Sequence, residues 1–194
     1  MKTTLLLFTS LLAGFGLCYI IYPKTHSLNI AIDDIEETTF DERRKELKEA
    51  WEASKRFSFK ILEQMPEEGF SYKYTPEAMT FAEQWRHCCI YTCNMLAGRF
   101  NLDNSPYPDK SQYPPVVLNK IEVKAELTKM YDYVFNLIET LPAEKLLETV
   151  SLGGEEMPGW RFIYAMENHI IHHRGSCVVY LRLNDIVPIG YFGW

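Results

Sequence analysis

The stretch from Trp160 to Asn184 contains no proline, and its apolar residues recur at three- and four-residue intervals. A run of that kind reads as one helix, and a long amphipathic helix needs other elements to cover its apolar face. Residues four apart on a helix share a face. Phe162, Met166, His169, Ile170, His173, Cys177 and Tyr180 therefore fall on one arc, and His172 points to the opposite side. Two imidazoles one turn apart on an otherwise apolar stripe can bind a single transition metal ion. The competing reading is a pair of core histidines satisfied by hydrogen bonds.

The covering elements are also helices. Leu47, Trp51, Ser54, Ser58, Ile61, Leu62 and Met65 mark one face of a helix that starts at a capping box, Thr39-Phe40-Asp41-Glu42, and ends near Pro66. Thr75-Pro76-Glu77 reads as the start of a second helix, with Thr as cap and Pro at the first position, running to Gly98-Arg99. Val123, Leu127, Met130, Val134, Leu137, Ile138 and Leu141 form the stripe of a third helix over 118–140, stopped by Pro142. Residues 143–150 add at most a helical turn, and no stretch reads as a convincing strand. The fold class expected is all-α: a four-helix bundle with a long connection, Asn101 to Pro115, between helices 2 and 3. The apolar tail from Ile186 to Trp194 is expected to pack along it.

Before the bundle, Leu5 to Tyr22 is almost unbroken apolar sequence. Residues 1–22 read as a signal peptide or an N-terminal membrane anchor, 23–38 as an acidic spacer, and 39–194 as the bundle domain. The chain is therefore expected to be exported or membrane-anchored, with membrane contact through that segment; a cytoplasmic chain is the alternative. The net charge of −6 and the lack of a basic aromatic patch argue against nucleic acid. Five cysteines, with no C-x-x-C pair, suggest neither a zinc ribbon nor a disulfide framework.

In a bundle, inward side chains of different helices converge. Thr80, Glu83, His87, Tyr91 and Asn94 form a polar stripe on the second helix, so His87 can meet His169 and His173. Three neutral imidazoles leave coordination positions open, as a catalytic site requires. There is no H-E-x-x-H for a zincin and no E-x-x-H for a di-iron carboxylate bundle. Cys177, four after His173, is a conceivable replacement ligand. Glu83 is a candidate outer partner or base and Arg174 a candidate anion clamp. Glu167 and Arg174 both fall within the apolar arc of the fourth helix, and the plainer reading of Arg174 is an interhelical ion pair that fixes bundle register.

Three segments together resemble the DinB-like superfamily of metal-dependent bundles: Phe81-Ala82-Glu83-Gln84-Trp85-Arg86-His87, His169-Ile170-Ile171-His172-His173-Arg174-Gly175, and Tyr180-Leu181-Arg182 with Asn184-Asp185-Ile186-Val187-Pro188. The resemblance covers Phe40 to the C-terminus. It implies a four-helix bundle with a long second connection and a three-histidine site at His87, His169 and His173. The ion implied is a divalent transition metal, zinc first, with nickel, iron or manganese as alternatives. It further implies a thiol S-transferase type of activity, with a low-molecular-weight thiol and an electrophile as partners; a homodimer is an open expectation. At Ser176 the sequence departs from the family's usual Gln. The alternative to an enzyme is a non-catalytic metal-binding bundle serving stability, sensing or partner binding.

Overall fold

A computed structural model of the chain describes residues 25–107 and 118–192, with side chains from residue 39 onward. The expected leader or anchor at 1–22 lies outside the described residues, as does the second half of the long connection, from residue 108 on. Among the described residues no helix is long and apolar enough to cross a membrane. Contacts divide the chain after Glu36. In the first unit the described residues are backbone helix only, and the bundle belongs to the second.

Four long helices make up most of the structure: α1 (Thr25–Gln64), α2 (Phe81–Phe100), α3 (Lys120–Thr140) and α5 (Gly159–Leu183), with a short α4 (Ala143–Leu147) before the last. All seven stripe positions read for the first helix and all seven for the third are buried. Trp51 and Tyr131 meet edge to face at 6.0 Å across α1 and α3. Burying side chains of this size contributes roughly 1.5–3 kcal/mol each. Arg44 on α1 donates to the carbonyls of Ile138 (2.7 Å) and Glu139 (3.1 Å). It thereby satisfies carbonyls that the end of α3 leaves open.

Three boundaries differ from the sequence reading. α1 begins at Thr25, not at the Thr39 box, because residues 25–64 hold neither proline nor glycine to stop the helix. The expected spacer at 23–38 is therefore helical from Thr25. α2 begins at Phe81, not at Thr75: Thr80 Oγ1 accepts from Glu83 N at 3.1 Å, and Glu83 Oε2 accepts from Thr80 N at 2.6 Å. That reciprocal box outcompetes the Thr75-Pro76 signal, which closes a turn (Ala78 N to Thr75 O, 3.2 Å). α3 starts on a second such box, Asn119 with Glu122.

The expectation of no strand is corrected by a hairpin, β1 (Thr149–Leu152) and β2 (Glu155–Pro158), antiparallel with Leu152 opposite Glu155. Gly153 and Gly154 both have positive φ, 62° and 92°, as a two-residue hairpin turn requires. The hairpin leads directly into α5. A Cβ at Gly159 would stand 2.2 Å from the Lys145 carbonyl oxygen and 2.8 Å from the Phe100 ring. Gly159 N donates to Glu148 O at 2.9 Å. Glycine is thus required where α5 starts against α4 and α2. The tail packs on the bundle as expected. Gln64 holds both Val187 O and Ile189 N, and Phe192 lies 4.9 Å from Phe57.

Candidate metal centre

α2 and α5 pack side by side, and the three histidines meet between them. His87 comes from the middle of α2, and His169 and His173 from successive turns of α5. Ring centroids are 5.2 Å apart for His87 and His169, 4.7 Å for His87 and His173, and 4.6 Å for His169 and His173. One ligand atom from each lies within 4.8 Å of the others, a group that could hold a metal ion. All three side chains are half-buried, whereas His172 is exposed.

Burial lowers the pKa of His169 to about 4, with His87 and His172 adding like-charge repulsion. Burial also lowers that of His173 to about 4, helped by His169, His87 and His172. Both are neutral at physiological pH, the state a metal requires of imidazole. His173 Nδ1 lies 2.6 Å from Gln84 Oε1. The amide oxygen can only accept, so Nδ1 carries the proton and Nε2 keeps the lone pair. His169 Nδ1 is buried and has no hydrogen-bond partner, an arrangement that costs free energy unless something else binds there. Tyr91 stacks on His169 at 4.3 Å and on His87 at 5.6 Å, forming one wall. Neutral imidazoles, one fixed tautomer and one orphaned ring nitrogen fit a divalent transition ion.

The polar stripe on α2 divides its labour. Thr80 and Glu83 cap the helix, His87 and Tyr91 face α5, and Asn94 accepts from Ser105 Oγ at 2.6 Å. The outer partner considered at Glu83 is instead its neighbour Gln84, whose amide also donates to the Tyr180 phenol; that phenol in turn donates to the Met79 carbonyl. Gln84 sits inside the motif quoted above, and a lone amide carries no periodic signal that would have marked it. Cys177, the conceivable replacement ligand, lies outside the three-histidine group. It is fully buried, with its thiol pushed far above the usual range by that burial. Cys88, Cys89 and Cys93 are likewise buried, with raised pKa values, so none has the depressed pKa of a reactive thiol.

Arg174 does not face the histidines. Its Nη1 donates to Ser54 O (3.2 Å), Ser54 Oγ (3.1 Å) and Ser58 Oγ (3.1 Å) on α1. Nη2 stands 3.6 Å from Glu167 Oε1 on its own helix. The register-fixing contact is therefore Arg174 to the α1 serines, and the ion pair is internal to α5.

Residues 47–177 match the family described as the DinB superfamily. A solved DinB-like protein from Bacillus cereus ATCC 10987 is 17% identical, with a TM-score of 0.60 over 75% of this chain and 95% of that one. Another from Bacillus subtilis is 18% identical, with a TM-score of 0.57 over 75% and 96%. At these identities the two structures speak for the fold. No curated protein matches the sequence.

Proposed function

The chain belongs to the DinB superfamily, and from that premise and the geometry above we propose that His87, His169 and His173 hold a divalent transition metal at the centre of a thiol-handling active site. The observation that carries the metal reading is the convergence of three ligand atoms within 4.8 Å, together with the unpartnered His169 Nδ1. When bound, such an ion would favour the ionised form of a small thiol and so supply a nucleophile at neutral pH. Zinc suits the nitrogen donors, and nickel, iron and manganese are the other candidates.

The chain's own residues supply position and protonation state. Gln84 orients His173 and holds its proton on Nδ1. Burial keeps His169 and His173 neutral, and Tyr91 closes one side of the cluster by stacking. The four cysteines among the described residues, buried and high in pKa, are unsuited to act as the nucleophile themselves, which favours a thiol arriving from outside.

Metal stoichiometry by mass spectrometry tests the site, using single alanine variants of the three histidines and of His172, each checked for folding. Every ligand variant should lose most of its metal, and His172→Ala should keep it. Full retention by His87→Ala or His173→Ala would reject the centre. Thermal-shift screening of the loaded protein with small thiols tests the activity class; the absence of any thiol response would favour a structural or sensing role.

A further inference from the structure

A second site lies on the other side of α5 and does not depend on the metal. α1, α5 and the C-terminal tail line a half-open cavity of about 240 Å³. The small side chains of Ala50, Ala53 and Gly175 leave this space. That is room for a small metabolite. Phe57, Tyr191 and Phe192 form an aromatic rim whose rings touch at 4.9 and 5.9 Å. At the polar end stand Ser54, Glu167 and Arg174, all more than nine-tenths buried.

The two charges form a long ion pair, with Ser54 also on the Glu167 carboxylate and the Phe57 ring under the Arg174 guanidinium. Arg174 spends Nη1 on three oxygens of Ser54 and Ser58. Its Nη2 faces Glu167 Oε1 at 3.6 Å, beyond hydrogen-bond length. A donor nitrogen and an acceptor carboxylate, both buried and loosely paired, thus stand at the edge of an apolar chamber. An occupant bridging them must accept from Arg174 and donate to Glu167. It must also be net neutral, because an unmatched charge would be buried beside a like charge.

We propose that this cavity binds a small net-neutral molecule with an apolar body and a head carrying adjacent acceptor and donor groups, namely an apolar amino acid or a primary carboxamide. Aromatic bodies suit the rim.

Calorimetric or NMR titration of the full chain with four probes sharing a phenyl body tests this. The probes are phenylalanine, 3-phenylpropanamide, 3-phenylpropanoate and 2-phenylethylamine. At least one of the first two should bind at least about tenfold more tightly than either singly charged probe, and which one does so distinguishes the zwitterion from the amide. Glu167→Gln should shift preference toward 3-phenylpropanoate, a reversal that loss of packing alone would not produce. Gly175→Leu and Ala53→Leu should abolish binding by filling the chamber. A Cβ at Gly175 meets no atom within 4 Å, so the first of these should fold. His87→Ala should leave binding unchanged, which separates this site from the metal centre. Equal binding of all four probes, no binding by any, or unchanged affinity in Gly175→Leu would overturn the proposal.

Discussion

His169 and His173 line one edge of the buried arc of α5, and Glu167 and Arg174 line the other, roughly 120° further round at 3.6 residues per turn. On the histidine edge the groups are half-buried and neutral, and a ring nitrogen is left without a partner. On the other edge the groups are charged and almost wholly buried, and the arginine is bound on Nη1 by two serines of α1. Neutral donors can wait for a ligand at modest cost. Buried charges must be largely matched when the chain folds, as Arg174 is by the α1 serines, before any ligand arrives. Histidine truncation should therefore be felt in ligand binding, and truncation at Arg174 in stability.

The largest expected effect tests the charged edge. Arg174→Ala leaves Glu167 buried without its counter-charge and should cost about 3–5 kcal/mol in urea denaturation. A loss under about 1 kcal/mol would mean that the two edges do not differ in kind. Next comes Gln84→Ala, which frees the His173 ring. Metal affinity should fall about 10–100-fold, while stability changes much less than for Arg174→Ala. Competition titration against a chromophoric chelator measures this, and Gln84→Glu, which keeps an acceptor, should recover part of the loss.

The third prediction concerns pH. In the metal-free protein His169 and His173 titrate at about 4, below the ordinary 6.5. The unfolded chain therefore takes up protons first as pH falls. Their stabilising share is complete above about 6.5 and disappears as pH drops to about 4. The melting temperature should fall across that window by about 2–4 °C for each kcal/mol lost, and bound metal should shift the fall. A flat profile between pH 7 and 5 would place both imidazoles in a wetter setting. The smallest effect is expected at His172, exposed and on neither edge. His172→Ala should stay within about 0.5 kcal/mol of the parent.

Much of this contrast could be read from spacing alone. A four-residue interval places His169 beside His173, and the same periodicity marks the stripes of α1 and α3 that turned out buried. The resemblance to DinB-like bundles covered the part of the chain that the family match later showed. What escaped depends on competition or on distance in sequence. Thr75-Pro76 and Thr80-x-x-Glu83 are both valid helix starts, and only the chain's geometry decides between them. The hairpin has four-residue strands in which Val150 alone is buried, so the alternation is too short to signal a strand. Gln84 gains its role from a ring 89 positions away. The cavity needs α1, α5 and the tail brought together before it exists.

The crowding at Gly159 reaches beyond the hairpin. With no space for a Cβ and its amide held by Glu148, the first residue of α5 acts as a fixed origin from which the helix is measured. His169 lies ten residues on, about 15 Å along the axis at 1.5 Å per residue. Adding or deleting one residue between that origin and His169 would turn both histidines by about 100° and move them off the face that meets His87. An extra residue at the Gly153–Gly154 tip lies upstream of the origin and would leave their phase untouched. The loop tip is thus free to vary in length, whereas the first ten residues of α5 act as a ruler whose count cannot change.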